Sequence, residues 1–220
     1  MEKIIKKIKN CESLTKDEQL KMLELPDKVQ LLGMYLSAGN YLCVAAELKM
    51  LEQPEKVELL RVYSQEYKLC DKAELKMLWQ SESVELLRVY SQKYKLYEDV
   101  EFKMLEQPER VELLKVYSQK YSLYDGAQQK MFDLPERVKL FAIYIQKHPL
   151  CEEAQVKMFD YPESGEFFAM YIQKYSLFKE AELRMLDFPE RATFLKMYLQ
   201  KYYLSVAAEE KAYKLGLIKV

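Results

Sequence analysis

Acid–base or nucleophilic catalysis needs a histidine, a thiol or a pair of carboxylates set beside a partner, and this chain offers few such sets. It has a single histidine, His148, followed by Pro149. Other copies of an internal repeat place Tyr67, Tyr94, Tyr121, Tyr175 and Tyr202 at that position, so His148 reads as a packing residue. No serine or cysteine nucleophile recurs beside it. Of the four cysteines, Cys43, Cys70 and Cys151 share one repeat position with Tyr97, Tyr124, Phe178 and Ser205, which marks them as structural, reduced thiols. Packed helices stand about 8–10 Å apart, beyond the span of a disulfide. No Cys-x-x-Cys pair is present, and the five glycines form no phosphate-cradling loop. The expectation is a protein without catalytic residues, cofactor or metal.

The side chains that suit binding recur in rows. One row runs Gln65, Gln92, Gln119, Gln146, Gln173 and Gln200, followed one residue later by Glu66, Lys93, Lys120, Lys147, Lys174 and Lys201. A lysine there complements the negative end of a helix, and the same row can serve a partner. A second row is basic throughout: Lys21, Lys49, Lys76, Lys103, Lys130, Lys157 and Arg184, with Glu47, Glu74, Glu101 and Glu182 two residues earlier. Residues two apart do not face one another on a helix, so the two signs are expected on different faces as surface stripes. Tyr63 and its equivalents fall on an apolar stripe, whereas Tyr67 and its equivalents suit a partly exposed aromatic strip. Trp79 stands where other copies carry an acid, beside Ser81 and Ser83 in place of the usual proline and basic residue. It reads either as an interaction hot spot or as a filler of the space left by the proline.

These rows exist because the whole chain repeats. Met22, Met50, Met77, Met104, Met131, Met158 and Met185 are separated by one step of 28 residues and five of 27. Tyr35, Tyr63, Tyr90, Tyr117, Tyr144, Tyr171 and Tyr198 keep the same period, as do Pro26, Pro54, Pro108, Pro135, Pro162 and Pro189. The extra residue falls near Gly39 and Asn40, in a turn. A fixed period over seven copies is the signature of a stacked repeat fold.

Each unit has room for two helices. The first, helix A, carries apolar residues such as Leu69, Ala73 and Met77, with a small residue at Ala46, Ala73, Ala127, Ala154, Ala181 and Ala208 and Val100 as the exception. The second, helix B, carries Val57, Leu60, Tyr63 and Tyr67, widened by Leu59 and Val62. In the phrases DLPE, DYPE and DFPE, Asp133, Asp160 or Asp187 is expected to cap helix B. Glu136, Glu163 or Glu190 would complete a capping box, and the proline would open the first turn. Gly165 replaces a core valine beside the larger Phe167 and Phe168, a compensated exchange.

The chain is half hydrophobic and 31% charged with a formal charge of −1, which fits a folded core and gives no overall bias toward nucleic acid or anionic lipid. No segment reads as a signal peptide or membrane span, so a soluble, cytoplasmic protein is expected. MEKIIKKIKN is basic and amphipathic, but Ile4, Ile5 and Ile8 keep the register of helix B and assign it as a polar-faced cap. Leu204 to Leu215, stopped by Gly216, reads as a lone helix A. The organisation expected is one domain: a capping helix over 1–12, seven repeats over 13–202, and a capping helix and tail over 203–220.

In architecture, the repeated phrase ELKMLEQPEKVELLRVYSQEY from Glu47 to Tyr67 resembles the α-solenoids built from helix pairs, such as tetratricopeptide and HEAT repeats. The unit is shorter than theirs and lacks the Trp-x-x-Leu-Gly-x-x-Tyr phrase of the former. The resemblance implies a right-handed all-α superhelix of about seven 27-residue helix-turn-helix repeats with an extended binding surface. The function expected is a non-catalytic protein-interaction scaffold for a peptide or protein, suited to an acidic one. It would use Trp79, the pairs Gln92–Lys93, Gln119–Lys120, Gln146–Lys147 and Gln173–Lys174, and exposed tyrosines. The alternative is a nucleic-acid binder using the basic row Lys49, Lys76, Lys103, Lys130, Lys157 and Arg184.

Overall fold

The computed structural model describes residues 2–219 and contains sixteen α-helices and one short 3-10 turn, with no strand among the described residues. Met1 and Val220, the ends of the two expected capping segments, lie outside the described residues. The chain divides into two compact units, one ending at Tyr121 and one beginning at Ser122.

The first unit holds α1 (Glu2–Lys9), α2 (Lys16–Met22), α3 (Lys28–Ser37), α4 (Val44–Met50), α5 (Lys56–Tyr63), α6 (Asp71–Leu78), α7 (Ser83–Tyr90), α8 (Glu98–Glu106) and α9 (Arg110–Tyr117). The second holds α10 (Asp125–Met131), α11 (Arg137–Tyr144), α12 (Glu152–Lys157), the 3-10 turn Met158–Asp160, α13 (Ser164–Tyr171), α14 (Lys179–Met185), α15 (Arg191–Tyr198) and α16 (Val206–Lys214). Within the first unit, α2, α4, α6 and α8 stack in sequence as one layer, and α1, α3, α5, α7 and α9 stack as the other. Within the second, α10, α12, α14 and α16 form the helix-A layer and α11, α13 and α15 the helix-B layer. As the register requires, α1 packs on α3 as a helix B and α16 on α14 as a helix A.

Burial follows the repeat. The methionine row from Met22 to Met185 and the tyrosine row from Tyr35 to Tyr198 are buried throughout. Ala46, Ala73, Ala127, Ala154, Ala181 and Ala208 are fully buried, so neighbouring helix backbones can approach where a larger side chain would hold them apart. Val100 is accommodated in the same slot and is also buried. At Gly165, the ring of Phe194 comes within 3.7 Å of where a Cβ would sit and stacks on Phe168 with centroids 4.7 Å apart. A neighbouring aromatic ring therefore fills the space left by the missing valine.

The expected caps of helix B do not form. The N-cap residues are Glu55, Glu82, Glu109, Glu136, Glu163 and Glu190, and none makes a side-chain cap bond. The proline is instead the second residue of a tight turn, closed by N–H groups such as Arg137 to Leu134 O at 3.1 Å and Lys56 to Gln53 O at 3.2 Å. Its fixed φ suits that position as well as it suits a helix start. Asp133 therefore lies in the turn just past helix A, its N–H bonded to Lys130 O, and outside helix B. The turn at Ser81 closes in the same way without proline, Ser83 N–H to Gln80 O at 3.1 Å. A true capping box occurs at α2, where the Thr15 hydroxyl accepts from Glu18 N–H and the Glu18 carboxylate accepts from Thr15 N–H.

Candidate partner-binding surface

The acidic row expected at the surface is buried. Glu74 and Glu101 are 0% exposed, and Glu47 and Glu182 are also buried. Each accepts a hydrogen bond from the helix-B tyrosine of its own repeat: Tyr63 Oη to Glu47 at 2.7 Å, Tyr90 to Glu74 and Tyr117 to Glu101 at 2.6 Å, and Tyr198 to Glu182 at 2.9 Å. The second carboxylate oxygen accepts from the backbone N–H that opens helix A of the next repeat, as in Cys70 to Glu47 at 2.9 Å, Tyr97 to Glu74 at 2.8 Å and Ser205 to Glu182 at 2.9 Å. The tyrosine hydroxyl in turn accepts a backbone N–H, for example Leu69 to Tyr90 at 3.2 Å.

Gln19, Gln128 and Gln155 occupy the same slot and reproduce the second bond, from Cys43, Cys151 and Phe178 N–H at 2.8, 2.7 and 2.7 Å. These buried polar side chains close the repeats on one another, which is why charge can sit in the core. Burial and then the carboxylate push the Tyr63 hydroxyl well above the usual phenol range, and the same two influences act on Tyr90 and Tyr117. Burial also raises the Glu74 carboxyl, against the opposing bonds from Tyr90 and Tyr97 and the nearby Lys68 ammonium at 3.7 Å.

The basic row is on the surface, and most of it reaches back to an acid of the preceding repeat. In the first unit Lys49 pairs with Glu24 at 3.6 Å and Lys76 with Glu52 at 2.5 Å. In the second, Lys157 pairs with Asp133 at 2.9 Å, Arg184 with Asp160 at 2.8 Å and Lys211 with Asp187 at 2.5 Å. The acids expected to cap helix B thus serve as inter-repeat ion-pair partners. At Lys103 the pattern changes: the corresponding position is Trp79, and Lys103 pairs within its own helix with Glu106 at 2.8 Å.

The Gln–Lys row lies at the C-terminal end of helix B, exposed as expected. Its lysines cap the preceding repeat: Lys93 donates to Gln65 O, Lys120 to Gln92 O, Lys174 to Gln146 O and Lys201 to Gln173 O, the last two at 3.1 Å. Gln92, Gln119 and Lys120 line a groove of about 520 Å³ between α7 and α9 together with Arg88, Glu112 and Lys115. Lys93 and Trp79 lie outside that lining. Tyr67, Tyr94, Tyr121, Tyr175 and Tyr202 are half-buried, each packed on the buried tyrosine four residues earlier with ring centroids 5.2–5.8 Å apart. His148 packs on Tyr144 in the same way at 5.5 Å.

The four cysteines are free. Cys43, Cys70 and Cys151 are the N-cap residues of α4, α6 and α12. Burial pushes the Cys70 and Cys151 thiols up to about 11. Asp125, Cys151 and Glu153 bring a thiol and two carboxylates within 4.8 Å of one another.

A larger groove, of about 860 Å³, opens between α6 and α8 on the helix-A layer. Leu75, Tyr97, Val100 and Phe102 give it an apolar lining; Asp71, Glu98 and Asp99, with Lys72, stand at one end and Lys103 at the other. Trp79, 65% exposed, follows Leu75 by four residues and so continues the same helix face. An indole this exposed fills no internal space. The groove residues escape a sequence reading that follows charged and aromatic rows. Their signal is the half-buried apolar position Leu20, Leu48, Leu75, Phe102, Val156 and Leu183, interrupted by Gln129.

No helix among the described residues is long and apolar enough to cross a membrane. No family model, no curated protein and no solved structure matches the chain.

Proposed function

We propose that the protein is a non-catalytic interaction scaffold that holds a peptide or protein segment against its helix-A layer. Within each unit the stacked pairs are read as turns of a right-handed α-solenoid, and the chain is placed in the cytoplasm. The observation that carries the reading is the apolar groove between α6 and α8, flanked by an exposed tryptophan. Apolar lining with charged ends is the composition of peptide-binding surfaces. The alternative of nucleic-acid binding would rest on the basic row, whose Lys49, Lys76, Lys157 and Arg184 are already paired with acids.

The test is affinity capture from lysate, with and without nuclease, by the native protein and by the F102E variant. A protein retained after nuclease treatment and lost with F102E, while the far-UV circular dichroism of the variant is unchanged, supports the scaffold. Nucleic acid recovered alone and lost as salt rises overturns it.

A further inference from the structure

The helix-A layer carries a repeating rung in which an acid just past one helix A binds the basic residue of the next, as in Glu52–Lys76. Between α6 and α8 the acid is absent, because Trp79 occupies its position. Lys103 turns instead to Glu106 of its own helix, with both side chains about half exposed, 51% and 41%. An exposed pair of that kind contributes little to stability, so a better-placed carboxylate displaces it readily. The junction with the altered rung is also the one that holds the larger groove.

We propose that this junction is a binding site for a linear segment in which an acidic side chain supplies the carboxylate missing from the rung. The reading rests on the scaffold function proposed above. The acid of the partner pairs with Lys103 beside the Trp79 indole, and a large apolar side chain next to it packs against Leu75 and Phe102. At the opposite end the three acids Asp71, Glu98 and Asp99 outnumber the one cation, Lys72, and favour a basic residue there. Glu98 and Asp99 precede Lys103 by five and four residues of α8, about 6–7.5 Å along the axis, which an extended peptide covers in about two residues. The motif is therefore acid, apolar, then base, with the two charges about two residues apart.

Trp79 is the only tryptophan, so its fluorescence reports this site alone. The probe is a display library of random twelve-residue peptides, selected on the full chain and counter-selected on W79E, which restores the acid of the rung. The best peptide is then synthesised and titrated. The expected result is an enriched acid–apolar–base motif that shifts Trp79 emission, with affinity weakened about 30-fold by W79E or by W79A, the loss of a hot-spot side chain. K103A should weaken it about fivefold, as for an exposed ion pair. W79E should unfold at or above the native temperature, because its rung is closed.

Peptides that enrich equally on W79E, or that bind without moving Trp79 emission, overturn this site. The scaffold reading then stands or falls on F102E capture. An oligothymidylate that shifts Trp79 emission as far as the peptide, and loses that effect in K103A, also overturns the site, in favour of phosphate recognition.

Discussion

Replacing Glu74 tests the buried clamp most directly, because two substitutions of similar size separate its hydrogen bonds from its charge. Glu74 is fully buried and accepts from Tyr90 Oη at 2.6 Å and Tyr97 N–H at 2.8 Å. In E74L both donors lose their acceptor in the interior. A stranded buried donor costs about 1–3 kcal/mol, and relief from burying a carboxylate offsets part of this. The expected loss is about 3 kcal/mol.

E74Q keeps an oxygen for Tyr97 N–H, as Gln128 and Gln155 do for Cys151 and Phe178. Its amide can donate to the Tyr90 hydroxyl, as Gln155 Nε2 does to Tyr171 at 2.9 Å. It should stay within about 1 kcal/mol of native at neutral pH. The two proteins should also differ in pH dependence. Burial holds the Glu74 carboxyl above its ordinary 4.5 in the folded state, so its contribution is full below about that pH and is lost as pH rises through the folded-state value. E74Q cannot ionise there and should gain on the native protein as pH rises from 4.5 toward neutrality.

The assay is urea unfolding followed by Trp79 emission, which reports α6 itself, and by circular dichroism, which reports the whole chain. A one-dimensional stack need not unfold in one step, so the local signal is the one to compare. E74L matching native stability, or E74Q falling as far as E74L, would refute the clamp. A stability difference between E74Q and native that is flat with pH would refute the burial of the charge.

Three further outcomes are expected. Lys7 and the Thr15 N–H hold the Glu18 carboxyl down to about 2, so that contact supports the fold above pH 4.5 and is lost as pH falls through the lower value. K7M should lower the melting temperature at pH 7 and converge on native as pH approaches 2. Iodoacetamide at pH 8 should modify exposed Cys11 well before Cys70 and Cys151, whose thiols sit near 11; peptide mapping over time measures the order. Gly216 ends α16 with φ of 70° and open space around its Cα, so G216A should cost about 1 kcal/mol through backbone strain alone, seen as faster amide exchange at the end of α16.

The period, the helix pairs, the buried Met, Tyr and Ala rows and the stop at Gly216 were all legible in the sequence, because each depends on residues within one helix or one turn. The two misreadings share a cause. The sequence pattern points Asp133 to the helix that follows it and Glu74 to the surface, since local context gives an acid either a nearby cap or water. Their actual partners lie on other helices: Asp133 meets Lys157 of the next repeat at a separation of 24 residues, and Glu74 meets Tyr90 of its own repeat at 16 and Tyr97 of the next at 23.

One signal did mark the buried slot. From repeat to repeat, 19, 47, 74, 101, 128, 155 and 182 exchange only glutamate with glutamine, whereas the exposed position of Glu66 changes to lysine at once. Only an acceptor oxygen of fixed reach is kept, which is the demand of a backbone N–H and a tyrosine hydroxyl. The same logic gives Trp79 its meaning. A lone exposed tryptophan on an irregular protein says little, but here the neighbouring repeats define what its position does. An indole where they carry a rung carboxylate removes an internal partner from Lys103 and leaves an apolar face beside a groove. That combination is what an external carboxylate with an apolar neighbour would need.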